Sequence, residues 1–115
     1  MIKKIHRFHG LGSLRFVYKQ GKTVRGSVIS IKYKLDERRP GYRVAVVVSK
    51  KVSKSAVVRN RIRRRVIENI RLLEDQISQP YDLVVTIFDE KVATMPAEEL
   101  TDVLKNLLRQ AGVVS

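Results

Sequence analysis

One run of eleven residues, Val58 to Glu68 (V-R-N-R-I-R-R-R-V-I-E), sets the terms on which this chain can fold. Five of them, Arg59, Arg61, Arg63, Arg64 and Arg65, are arginines, yet Val58, Ile62 and Val66 recur every four positions. Apolar residues at that interval share one face of an α-helix. Ile70, Leu73 and Ile77 carry the same stripe onward. At roughly 100° per residue, Asn60, Arg61, Arg64 and Arg71 point away from the stripe, while Arg59, Arg63 and Arg65 flank it. Such a helix must be covered on one side and left in water on the other. A solvated face normally mixes signs so that i,i+4 pairs form, and here no acid appears before Glu68. Uncompensated charge of this density implies an anionic partner.

The rest of the charge follows the same division. Residues 1–37 hold nine Lys/Arg against two acids, residues 38–67 eleven against none, and residues 68–115 four against nine. The net charge of +13 is therefore concentrated on one part of the fold, which is the electrostatic footprint of nucleic-acid binding. An anionic membrane would attract the same charge, but needs bulky apolar residues free to insert, and the apolar stripe is better used as core. The longest apolar run, Val44 to Val48, is far short of a membrane span. The basic N-terminus M-I-K-K-I-H-R-F-H has no apolar run behind it and does not read as a signal peptide. With 43% hydrophobic residues in 115, the expectation is one domain over 1–115 with its own core, its first twelve residues an extended basic arm. The absence of cysteine suits a reducing compartment, and a cytoplasmic protein is expected.

Along the chain, Ser13 is placed to cap a short helix that runs to Gln20 and ends at Gly21, with Leu14, Val17 and Tyr18 on one side. Ser27 to Leu35 alternates like a half-buried strand. Asp36 to Gly41 (D-E-R-R-P-G) reads as a turn, and Tyr42 to Ser49 as a second strand, apolar on both faces from Val44 and hence central. The short connection predicts that these two strands pair antiparallel. The basic loop Lys50–Ser55 supplies serines to cap the arginine helix, which is expected to extend to the neighbourhood of Ile77 before Pro80. Tyr81 to Phe88 is a third strand, parallel to the second by way of the crossover helix. Pro96 opens a last helix with Glu98 and Glu99 in its first turn, a buried stripe from Leu100 to Ala111, and Gly112 as its end. The predicted fold class is α+β, an α/β sandwich on a small mixed sheet, in the order α-β-β(-β)-α-β-α.

Catalytic constellations are sparse. No Gly-rich phosphate loop is present, the serines of 50–55 have no evident histidine base, and the acids gather in turns and at a helix start. His6 and His9 without acidic or thiol neighbours make a poor metal set. Binding chemistry is richer: arginine donates bidentately to phosphate and stays charged. Lys50, Lys51 and Lys54 add point charges at the N-terminal end of the same helix, where backbone N–H groups also favour anions. Phe16, Tyr18 and Tyr33 are candidates for stacking on unpaired bases.

Ser49-Lys50-Lys51, followed by Ala56-Val57-Val58-Arg59-Asn60-Arg61-Ile62-Arg63-Arg64, resembles the bacterial ribonuclease P protein component, in which V-S-K-K leads through a short loop to a helix bearing Arg-Asn-Arg. Arg7-Phe8 and Val17-Tyr18-Lys19-Gln20-Gly21 resemble that family's N-terminal helix, Asp82 to Val85 its last strand, and Glu99 to Leu108 its final helix. The resemblance implies a fold like the second domain of ribosomal protein S5, with a left-handed crossover. It implies a subunit of an RNA enzyme that removes the 5′ leader from precursor tRNA, with the active site and its magnesium ions (Mg2+) in the RNA. On this basis Lys50, Lys51, Lys54, Arg59, Asn60, Arg61, Arg63 and Arg64 would contact ribonuclease P RNA. Leu14, Tyr18, Val46 and Val48 would line a cleft for the leader of precursor tRNA. No protein partner is implied. Leu14 stands where the family usually has Phe, Ser53 where many members have Gly, and Ile87-Phe88-Asp89 where members often carry a basic residue. A general RNA-binding module would lack the K-K…R-N-R spacing; a helix-turn-helix DNA binder would need a second helix beside the arginine helix; a protein-only nuclease would need clustered carboxylates.

Overall fold

The computed structural model describes His6 and residues 11–114. The elements are α1 (Leu11–Gln20), β1 (Lys22–Arg25), β2 (Ile29–Leu35), β3 (Arg43–Val47), α2 (Ala56–Leu72), β4 (Tyr81–Ile87) and α3 (Ala97–Gln110). Short 3-10 helices at Glu74–Gln76 and Glu90–Ala93 flank β4. This is the expected α+β order, with β1 as the optional extra strand. The predicted arm, 1–12, lies outside the described residues except for His6, Leu11 and Gly12; the first helix begins at Leu11, before the expected cap at Ser13. Its end is as expected: the Gly21 N–H reaches the Val17 carbonyl at 2.7 Å. A Cβ at Gly21 would sit 2.6 Å from that oxygen and 2.9 Å from the Tyr33 carbonyl, so the chain can pass from helix to strand here only without a side chain.

The sheet order is β1-β2-β4-β3, which corrects two expectations. Strand β3 is an edge, and β2 and β3 do not pair; β4 lies between them, antiparallel to β2 and parallel to β3. The turn makes this possible by passing over the foot of β4: the Asp36 N–H donates to the carbonyl of Pro80, the residue just before β4. Leu83, Val84 and Val85 are fully buried, so β4 is apolar to both sides and takes the centre, while Ala45, Val46 and Val47 of β3 stay half-exposed.

Register assigns every strand residue to one of two faces. Ile29, Ile31, Leu83, Val85, Ile87 and Val44 form one with Ile62, Val66 and Ile70 of α2 and Leu100, Leu104 and Leu108 of α3. The second face carries Ser30, Lys32, Val84, Thr86, Ala45 and Val47, and against it lies α1, whose Val17 is fully buried. Helix α2 ends at Leu72, short of Ile77; the Glu74–Gln76 turn continues the path and still buries Leu73 and Ile77. Gly112 closes α3 at φ +77°, the left-handed value that suits glycine.

Two ion-paired clusters are built into this frame. Arg43 and Asp82, opposite each other in the β3–β4 ladder, form a buried two-pronged pair with both contacts at 2.8 Å. Asp36 accepts from the Arg38 backbone and guanidinium, and those bonds hold its carboxyl below the usual carboxylate range. Asp82→Ala should cost about 3–5 kcal/mol, the penalty for stranding a buried charge, read as a lowered urea midpoint. A depressed folded pKa stabilises fully above the unfolded value and loses that contribution as pH falls through the folded one. Asp36→Asn should therefore destabilise at neutral pH, with the difference from the parent closing in acid; thermal melts across that range decide it.

Candidate nucleic-acid interface

Helix α2 places its charges by the same geometry that buries its stripe. Ile62, Val66 and Ile70 have no exposure, each worth about 1.5–3 kcal/mol of burial, so the helix cannot rotate to hide its arginines. Its start is fixed by Ser55, whose Oγ accepts from the Val58 N–H at 3.2 Å. The buried Ser53 Oγ accepts from the Ser55 N–H, and the Ser53 carbonyl accepts from Arg59 Nη1 at 2.8 Å. Loop and first turn are thus one unit, and Lys50, Lys51 and Lys54 stand exposed around it.

The five arginines do different things. Arg61 and Arg64 are exposed, and with the three lysines they have no hydrogen bond or ion pair among the described residues. Arg59 spends one donor on the loop, and Arg63, half-buried, donates to Asn60 Oδ1. Arg65 belongs to the fold: it donates to the carbonyls of Val92 (2.6 Å) and Met95, tying the Glu90–Ala93 turn to the helix. Sequence reasoning placed Arg65 on the flank without this role; its position beside the stripe was the available signal. Val57, 68% exposed, lines a shallow groove of about 340 Å³ with Asn60 and Arg64. The cationic run ends where Glu68 pairs with Arg71, a contact that lowers the Glu68 carboxyl's pKa.

The second set of expected residues is split by the sheet. Tyr18 is 42% exposed and Leu14 half-buried on α1, with the Lys32 ammonium 5.6 Å from the Tyr18 ring centroid. Val46 and Val48 are not with them: Val48 is 7% exposed in the core beneath α2, and Val46 packs against that same core. Successive strand residues alternate sides, so the apolar residues that β3 presents toward α1 are Ala45 and Val47, beside Arg43. The sequence is apolar on both faces from Val44 to Val48 and gave no polar residue from which to count the alternation. Lys32, on the α1 face, and Phe88, exposed with the Arg25 guanidinium 5.6 Å from its ring, were not singled out as contacts.

Among the described residues no group of three or more His, Cys, Asp or Glu is arranged to hold a metal ion, and no helix is long and apolar enough to cross a membrane. The surface is built to meet extended negative charge.

Arg61→Ala and Arg64→Ala should leave the melting temperature unchanged and each lower the salt dependence of RNA binding by roughly one unit of slope. Arg65→Ala should instead lower the melting temperature, since it strands two carbonyls, and should change that slope less. Melts alongside binding titrations over a salt series separate the two classes.

A family model described as Ribonuclease P matches residues 2–112. The ribonuclease P protein component of a Pseudanabaena species is 41% identical over 99 residues, covering 85% of this chain and 84% of that protein. That of Bacillus cereus is 34% identical over 113 residues, covering 97% and 96%. Among solved structures, the RNase P protein of Staphylococcus aureus superposes with a TM-score of 0.83 at 24% identity, over 96% of this chain and 98% of that one. The Thermotoga maritima protein gives 0.79 at 21% identity, over 90% and 96%, and both likenesses speak for the fold. A match spanning nearly the whole sequence, with relatives above 30% identity along most of it, means that this chain belongs to the ribonuclease P protein family.

Proposed function

We propose that this chain, as the protein component of ribonuclease P, binds the catalytic RNA with the exposed edge of α2 and its leading loop, and assists removal of the 5′ leader from precursor tRNA. The observation that carries the proposal is the row Lys50, Lys51, Lys54, Arg61 and Arg64. These cations are exposed and have no partner among the described residues, on the leading loop and outer side of a helix held by a fully buried stripe. Arginine and lysine in that setting neutralise a phosphate backbone and release its counterions. Asn60, Arg59 and Arg63 border the row and fix its geometry by bonds to each other and to the loop.

The leader of precursor tRNA is assigned to the other sheet face, between α1 and β3. There Tyr18 offers a ring, Lys32 a charge beside it, and Ala45 and Val47 a shallow apolar floor. Stacking on an exposed ring is sequence-tolerant, as a subunit serving many precursors requires. Magnesium and the hydrolytic step are assigned to the RNA. Among the described residues no three His, Cys, Asp or Glu side chains come together to hold a divalent ion. A cytoplasmic location goes with this role.

The deciding experiment is precursor-tRNA cleavage by a bacterial ribonuclease P RNA at low magnesium, with and without the protein. Stimulation with the cut at the mature 5′ end is expected. Tight RNA binding without stimulation would reduce the protein to a general RNA-binding module, and cleavage by the protein alone would overturn the assignment of the active site. In the same assay Tyr18→Ala should lose about 1–3 kcal/mol of the affinity gained from a longer leader, the worth of one stacked base, while a precursor with a minimal leader should bind as before.

A further inference from the structure

Six cations fall within residues 11–35 with no acid among them: Arg15, Lys19, Lys22, Arg25, Lys32 and Lys34. This second acid-free stretch lies on α1 and the β1–β2 hairpin, and none of the six is ion-paired among the described residues. Strand register places three of them on the sheet face that carries α1, each on its own rung. The middle rung is Lys32–Val84–Ala45, where the Lys32 ammonium lies beside the Tyr18 ring. On one side of it comes Lys34–Asp82–Arg43, on the other Arg25–Ser30–Thr86–Val47. Beyond Thr86 the ladder continues past the end of β4. The Phe88 N–H donates to the Val28 carbonyl at 2.8 Å, and alternation turns the Phe88 side chain to this same face. Phe88 is 44% exposed, and Arg25, also exposed, holds its guanidinium 5.6 Å from the ring centroid.

The two ends of the face differ. At the foot, Asp82 neutralises Arg43, and Asp36 and Glu37 follow β2. At the other end an exposed ring meets an exposed cation, the pairing that Tyr18 and Lys32 show in the middle. Asp89 and Glu90 come after Phe88, but the Asp89 carboxylate is committed to the Lys91 N–H at 2.9 Å. We propose that Phe88 and Arg25 form a second stacking station for the leader of precursor tRNA, which therefore leaves its groove toward the C-terminal end of β4 and not past Lys34. An unpaired base stacks on an exposed ring or on a guanidinium plane, and the outward donors of Arg25 meet the adjoining phosphate. Phe88 stands about 13 Å along β4 from Val84, so the base held there lies further along the leader than the base at Tyr18. The proposal rests on the assignment of the leader to this face.

The test is the affinity of the assembled enzyme for precursors whose leaders lengthen one nucleotide at a time. The gain should come in two steps, the first lost in Tyr18→Ala and the second in Phe88→Ala, each about 5- to 150-fold, the worth of one stacked base. Phe88→Leu, which keeps an apolar side chain without a ring, should lose the second step as well, and Phe88→Tyr should keep it; the Leu variant stands in if the Ala variant melts early. Arg25→Ala should weaken the second step and lower its salt slope by roughly 0.7, the worth of one single-strand phosphate. An abasic nucleotide at the position of the second step should cost the wild type as much as Phe88→Ala does, and should cost Phe88→Ala nothing further. A second step that survives both Phe88→Ala and Phe88→Leu overturns the station. Loss of that step in Lys34→Ala in place of Phe88→Ala overturns the direction of the path. A wild-type enzyme indifferent to leader length is instead a failure of the leader assignment and takes the station with it. Two steps of which only the first depends on a ring, that of Tyr18, leave that assignment standing and sink the station alone.

Discussion

The packing of one helix face holds the arrangement together. Ile62, Val66 and Ile70 are sealed against the sheet and α3, and that contact fixes the rotation of α2. Once the rotation is fixed, Arg61 and Arg64 have nowhere to go but solvent, and the loop before the helix is drawn into register by Ser53, Ser55 and Arg59. A flexible basic tail could carry equal charge, but would lose conformational entropy each time it met RNA. Here that cost is met in folding. The repulsion along the arginine run is borne by the apolar stripe on the other side of the same helix.

Much of this was legible in the sequence because it is periodic or local. The stripe from Val58 to Ile77, the Ser55 cap, the end of α1 at Gly21 and the end of α3 at Gly112 each depend on residues within a turn or two of one another. The basic row was legible for the same reason, as was the family. Non-local pairing was not. A turn of six residues between two apolar segments reads as a hairpin, and nothing within 27–49 announces that a strand some forty residues later will enter between them. That decision is made by burial: Tyr81–Ile87 is the segment with most to hide on both sides.

The same limit explains what went astray at the groove. Assigning Val46 and Val48 to the α1 side needed the phase of β3, and a run of valines has none to offer. Tertiary partners also redefine single residues. Arg65 differs from Arg64 in the sequence only by lying beside the stripe, yet it is a bracket between α2 and the turn before α3, while Arg64 is exposed with no partner among the described residues. Likewise Arg43 contributes to the net charge without contributing to the surface, since Asp82 neutralises it inside the sheet. Counting cations along the sequence therefore overstates what RNA can meet.

The placement of β4 bears on how the chain reaches this state. Strands β2 and β3 share no ladder; β2 has β1 on one side, but its other edge, and the only partner of β3 among the described residues, wait for a segment from the final third of the sequence. During synthesis α1, the β1–β2 hairpin, β3 and the whole arginine run therefore emerge before the strand that unites them. Long-range pairing of this kind slows folding and lengthens the time that apolar edges stay open. Like charge of that density on every copy opposes association of unfinished chains, so the run that leaves a cationic surface on the folded protein has a second consequence before the sheet is complete.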